Sequence, residues 1–148
     1  MCAKISARKP QTKRRILIVD DHPLVRNGLS ALIDNEPDLT ICAEAATERA
    51  GLDAIAASQP DLVVADLSLK DGDGLELVKQ IRLHDKHLPV LVLSMHDTPL
   101  YAERAFKAGA SGYVTKQEMS ETVPLAIRRV LNGQKYLSPT TEIKLGHK

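Results

Sequence analysis

Five polar residues stand directly after apolar runs, and their types suit one reaction. Asp20 and Asp21 follow Ile16-Leu17-Ile18-Val19. Asp66 closes Leu62-Val63-Val64-Ala65, Ser94 closes Val90-Leu91-Val92-Leu93, and Lys116 follows the stretch from Ser111 to Thr115. Three carboxylates brought together repel one another, and a proton or a cation must relieve them. A hard cation with oxygen ligands and open water positions suits the task, and Mg²⁺ is the intracellular default where phosphate is handled. Asp66 is then placed to attack phosphorus and form an aspartyl phosphate. The metal, the Lys116 ammonium and the Ser94 hydroxyl would share the charge on the equatorial oxygens, so catalysis is mostly positioning and electrostatics. One acid at a strand end is more often a cap or a surface charge. Agreement among five strand ends carries the reading.

The elements that must position these residues follow from the pattern around them. Continuous apolar runs with adjacent valines read as strands buried on both faces, as in a parallel sheet. His22-Pro23 opens a helix, with Pro23 at the first helical position, where its missing N–H costs nothing. Leu24, Val25, Leu29, Leu32 and Ile33 are expected on its inner face, and Asn35 and Pro37 stop it. Leu39 to Ala43 is a short strand, and Thr47 can cap a second helix with Leu52 and Ile55 inward. After Asp66 a loop runs from Ser68 to Gly74, its two glycines permitting tight turns. The next helix buries Leu77, Val78 and Ile81. A helix from about Thr98 to Ala108 is rich in alanine and is expected to be the least firmly anchored, with Gly109 as a left-handed cap. The last helix turns Val123, Ala126, Ile127, Val130 and Leu131 inward and stops at Gly133. Five alternations of strand and helix with short connections predict a doubly wound parallel sheet with helices on both faces. Strand order 2-1-3-4-5 sets the first and third strands side by side at the switch point, so that Asp20, Asp21 and Asp66 converge.

Composition sets the bounds. A chain of 148 residues, 43% hydrophobic and 26% charged, suits one soluble globular domain with a sizeable core. No apolar run approaches the roughly 20 residues that span a bilayer. Cys2 and Cys42 lie in a polar tail and an apolar run, which fits a reducing cytoplasm, with Cys42 as a small core residue. Lys4, Arg8, Lys9, Lys13, Arg14 and Arg15 crowd the first fifteen residues without an acid, so a chain of net charge +1 has an acidic body. That body offers no nucleic-acid surface, and residues 1–14 read as a solvated, disordered leader. His22, His84, His87 and His147 lack metal-ligand pairing and read as polar helix-end residues. Asp71-Gly72-Asp73-Gly74 is not a calcium loop, because the first-position acid falls on Leu69.

Over roughly Arg15 to Pro139 the sequence resembles a bacterial response-regulator receiver domain. The matching residues are the Asp20-Asp21 pair, Asp66, Ser94 and Lys116. The stretches from Val19 to Arg26 and from Gly109 to Lys116 resemble the NarL/FixJ-like subfamily, whose members carry LuxR-type helix-turn-helix domains. The resemblance implies a flavodoxin-like (CheY-like) doubly wound sheet of five parallel strands with five helices, a receiver over 15–136, and a tail or linker over 137–148. It implies phosphotransfer from a sensor histidine kinase to Asp66, with Mg²⁺ held by Asp21, Asp66 and the backbone carbonyl of Ser68, and Asp20 helping through water. It also implies a switch in which Ser94 moves toward the phosphate and Tyr113 turns into the space left, altering the face around the fourth helix, fifth strand and fifth helix. Ser68 and His96 occupy positions that set how fast phosphate is lost. Lys70, Gln117 and Ser94 depart from the proline, proline and threonine common in relatives.

Further expectations concern partners and class. The first helix and nearby loops would dock the kinase, with Arg26 and Asn27 on its exposed side, and phosphorylation could drive a homodimer. DNA would be reached only through a helix-turn-helix domain that such relatives carry after the receiver and for which no room is left here. No membrane contact is expected, and the only reactions catalysed would be the chain's own phosphorylation and dephosphorylation. Two other classes stay open: a degenerate receiver that binds without taking phosphate, and a phosphohydrolase with an aspartate nucleophile. The intact acid set argues against the first, and adjacent acids in place of an Asp-x-Asp pattern argue against the second.

Overall fold

The computed structural model describes residues 13–69, 74–95 and 99–137. In chain order the elements are β1 (Arg14–Val19), α1 (Pro23–Asp34), β2 (Leu39–Ala45), α2 (Glu48–Ser58), β3 (Leu62–Asp66) and α3 (Gly74–His84). They continue with β4 (Val90–Ser94), α4 (Pro99–Ala108), β5 (Gly112–Thr115), a 3-10 turn (Lys116–Glu118), α5 (Met119–Leu131) and β6 (Tyr136–Leu137). The apolar runs form strands because both sheet faces are covered. Ile16, Ile18, Val64 and Leu91 point to the α1 and α5 side, while Leu17, Val19, Val63 and Val92 point to the side of α2, α3 and α4.

The sheet order is β2-β1-β3-β4-β5-β6, and every pairing is parallel. The predicted order 2-1-3-4-5 therefore stands, but the expected count of five strands does not. Tyr136 and Leu137 pair with Gly112 and Tyr113 as a sixth, edge strand. Two residues carry no alternation to read, and this pairing rests on position beside β5 alone.

Several local expectations hold, and others change. Pro23 begins α1, and Thr47 Oγ1 accepts from the Ala50 N–H at 3.0 Å. Gly109 ends α4 at φ +116°. In α1, Leu29 and Ile33 are buried, but Leu24 is 85% exposed. At about 100° per residue Leu24 sits ~140° round the helix from Leu29, on the stripe of exposed Asn27 and Ala31. Cys42 is a half-buried free thiol at the irregularity in β1–β2 pairing, where Ile16 meets Ile41 and Leu17 meets Ala43. Burial pushes the thiol above its ordinary value. Helix α4 fully buries only Ala102 and Ala105, as its alanine content predicts. In helix α2 Gly51 alone is fully buried, with Leu52 and Ile55 half-buried against the core.

Candidate functional site

Parallel register fixes where the polar strand ends meet. Val19 lies against Ala65 and Asp66 against Leu93, so Asp20, Asp66 and Ser94 all fall at the carboxyl edge of neighbouring strands. Ser94 pairs with Thr115, which sets Lys116 at the same edge. A sheet edge of this kind is open to a ligand because the helices leave it uncovered at the switch point.

The side chains converge. Lys116 Nζ lies 3.2 Å from Asp20 Oδ2 and 3.2 Å from Asp66 Oδ1. Asp20, Asp66 and Ser94 are each 1% exposed. The Ser68 N–H donates to Asp66 Oδ1 at 3.2 Å, and the Leu67 N–H donates to the Leu93 carbonyl at 2.8 Å, anchoring the two residues that follow the carboxylate. Gly74 opens α3 hard against this turn, its N–H donating to the Leu67 carbonyl at 2.9 Å.

Electrostatics leave the cluster short of positive charge. Burial, with the Asp20 charge beside it, pushes the Asp66 carboxyl above its ordinary value, against the pull of Lys116 and the Ser68 N–H. Among the described residues, three buried oxygens accept no hydrogen bond: Asp20 Oδ2, Asp21 Oδ1 and Asp66 Oδ2. Buried carboxylate oxygens in that state are costly unless a cation meets them. Three hard oxygen donors with one shared ammonium fit a hard divalent ion.

Asp20, Asp21, Asp66, Ser94 and Lys116 are thus gathered at one sheet edge, as their positions in the sequence predict. Ser68 adjoins it through its backbone. Tyr113 is wholly buried in β5 on the side of α2, α3 and α4, unlike a half-buried aromatic with a wet hydroxyl. His96, Lys70 and Asp71 to Asp73 lie outside the described residues, as do 1–12 and 138–148. Three contributors were not legible. His22, set aside above, turns Nδ1 to within 2.9 Å of Asp20 Oδ1, 3.1 Å of Asp21 Oδ1 and 3.6 Å of Asp66 Oδ2. Arg26 turns inward, donating to the Asp20 carbonyl at 2.5 Å and lying 3.5 Å from Glu44. Gly74 is the third. The adjacency of His22 to the acid pair was the one usable signal.

A groove of about 610 Å³ lies elsewhere. It runs between α2 and α3 beside Pro60, Asp85 and Leu88, at the amino ends of β3 and β4. It holds none of these groups. No described helix is long and apolar enough to cross a membrane.

A flavodoxin-like parallel sheet with an acid pocket and a lysine at its carboxyl edge defines a class of small α/β domain. The chain belongs to the response regulator receiver domain family, whose model matches residues 16–128. It is similar to the transcriptional regulatory protein UhpA of Salmonella typhimurium, 35% identical over 130 residues, which are 88% of this chain and 65% of that protein. The chain therefore spans just under two thirds of that relative. A two-component response regulator of the LuxR family from Aurantimonas sp. SI85-9A1 superposes with a TM-score of 0.87 at 37% identity, over 91% of this chain and 96% of that one. A structure of two RcsB dimers bound to two parallel DNAs matches with a TM-score of 0.83 at 25% identity, over 91% of this chain and 69% of that one.

Proposed function

We propose that Asp66 is the phosphoacceptor of this receiver, taking a phosphoryl group from a sensor histidine kinase. The observation that carries the reading is the shared ammonium: Lys116 sits 3.2 Å from both Asp66 and Asp20 at the end of the sheet. An Asp66 carboxylate oxygen bonds to phosphorus as the phosphorus–nitrogen bond of the kinase phosphohistidine breaks, and the imidazole keeps that electron pair and later gains a proton. Lys116 moves no proton here; it balances charge on the phosphoryl oxygens. Ser94 donates its hydroxyl to one of those oxygens. Asp20, Asp21, Asp66 and the Ser68 carbonyl are the groups that would hold Mg²⁺, which when bound neutralises the carboxylates and the incoming phosphoryl charge.

The signal leaves through α4, β5 and α5, with Ser94 and Tyr113 as the moving pair, a two-state element biased by a local charge. Ser68 and His96 set the rate of phosphate loss. The domain runs over 15–136, between a basic leader and a linker, and works in the cytoplasm. The similarity to UhpA and to the DNA-bound RcsB dimers supports an output in transcription, through a DNA-binding domain and a phosphorylation-dependent dimer. Incubation with acetyl phosphate and MgCl₂, followed by intact mass, tests the core of this reading. One phosphoryl group per chain is expected, and none on Asp66→Asn. Turnover of many equivalents would point to a phosphohydrolase, and no adduct to a binding module.

A further inference from the structure

The acid pocket holds one nitrogen that the phosphoacceptor reading does not use. We infer that His22 Nδ1 is a metal donor, making the site a mixed oxygen–nitrogen centre that favours borderline transition ions over Mg²⁺ more than an all-oxygen pocket would. The inference rests on the acid pocket being a divalent-ion site, as proposed above.

Three observations carry it. One donor atom each from Asp20, Asp21, His22 and Asp66 lies within 4.8 Å of all the others. Divalent ions hold donors at about 2.0–2.6 Å, so donors on opposite sides of one shell lie roughly 4–5 Å apart. The imidazole also faces oxygens that nothing else satisfies. Asp21 Oδ1, 3.1 Å from Nδ1, and Asp66 Oδ2, 3.6 Å from it, are among the three buried oxygens that accept no hydrogen bond from the described residues. Finally, the ring is held by its own backbone. The His22 N–H donates to Asp20 Oδ1 at 2.8 Å, and His22 is the residue before Pro23, the first of α1. Residues preceding proline are confined to extended backbone, and His22 is so, at φ −99° and ψ 110°. Nδ1 is the ring nitrogen turned to the carboxylates, 2.9 Å from Asp20 Oδ1.

Imidazole raises affinity for cobalt, nickel and zinc ions far more than for magnesium, which prefers oxygen. The experiment is calorimetric titration of the wild-type chain, His22→Ala and Asp66→Asn with CoCl₂ and with MgCl₂, alongside proton NMR of the Co²⁺-loaded proteins. A metal-bound donor is worth at least what an outer-shell partner is, about 10–100-fold, so the Co²⁺-to-Mg²⁺ affinity ratio should fall at least about tenfold in His22→Ala. A hyperfine-shifted, exchangeable imidazole N–H resonance should be present in the wild type and absent from His22→Ala. Asp66→Asn should weaken both ions, which separates the pocket from surface histidines. The His22 side chain makes no capping hydrogen bond to the α1 backbone; its Nδ1 pairs with Asp20 Oδ1 at 2.9 Å and the side chain is 56% exposed, so His22→Ala should fold. If His22→Ala weakens both ions equally and the N–H resonance persists, His22 is no donor, although the divalent site stands. If neither ion binds in a way that depends on Asp66, both readings fall.

Discussion

Gly74 shows how little slack surrounds Asp66. A Cβ at residue 74 would stand 2.2 Å from the Asp66 carbonyl oxygen and 2.6 Å from Leu67 Cα, and backbone cannot swing aside as a side chain can. Gly74→Ala should cost about 1–3 kcal/mol, the range of core overpacking, read as a lower midpoint in urea. Its phosphorylation by acetyl phosphate should slow, because the residue that must give way is the phosphoacceptor itself. The Asp66 carboxyl predicts a pH effect. Its value is raised in the fold, so between the ordinary value of about 3.9 and the raised one the folded chain keeps a proton that the unfolded chain has released. The stability this provides is present in acid and lost as pH rises through that window. Asp66→Asn removes the like-charge crowding, and at pH 7 without divalent ions its Tm should rise by roughly 3–6 °C, for a gain of about 1 kcal/mol. The gain should vanish below about pH 4. An equal gain at both pH values would contradict the assignment.

Among the elements, α5 is tied to the turn between α1 and β2 by one guanidinium. Arg128 donates to Asp38 Oδ2 at 3.0 Å and Oδ1 at 2.9 Å, and also to Glu36. The Arg128 hydrogen bonds hold the Asp38 carboxyl below its ordinary value. That contribution is present above the ordinary carboxylate range and is lost as pH falls through the depressed value. The groups are half open to water, so Arg128→Ala should cost only about 0.5–1 kcal/mol, and less in 1 M NaCl. Arg82 is the inner counterpart, donating to the carbonyls of Gly109 at 2.9 Å and Leu88 at 2.6 Å, which joins the end of α3 to the approach to β5. Helices α2 and α4, which fully bury only small residues, should exchange amide hydrogens ahead of α3 and α5.

At this scale the sequence reads well where burial acts from both sides. A strand covered on both faces must be apolar until it leaves the core, so Asp20, Asp66 and Ser94 mark strand ends by contrast alone. It reads poorly where a turn depends on a side chain. Arg26 looks solvent-facing by helical spacing, yet the Asp20 carbonyl at the mouth of α1 draws it in. His22 reads as an ordinary helix start until the Asp20 side chain is seen to accept its N–H. Strand β6 is too short for any period.

For the molecule as a whole, charge is unevenly satisfied: the core is apolar throughout, and the cost is concentrated at one rim. A ligand that binds only the folded form stabilises it by mass action, by about 2.7 kcal/mol at a hundred times its Kd. MgCl₂ should therefore raise the Tm of the wild-type chain, and EDTA should reverse the gain. Asp21→Asn should blunt the response, whereas a substitution in the α2–α3 groove such as Gln80→Ala should leave it intact.

The two residues of β6 have a material consequence. They occupy the flank of β5 at Gly112 and Tyr113, where outward N–H and C=O groups would otherwise stand as a template for another chain's backbone. Shortening the protein to end at Lys135 should leave the acid pocket standing yet turn a well-behaved solution cloudy. Light scattering that grows with concentration and storage time would register that seam coming open.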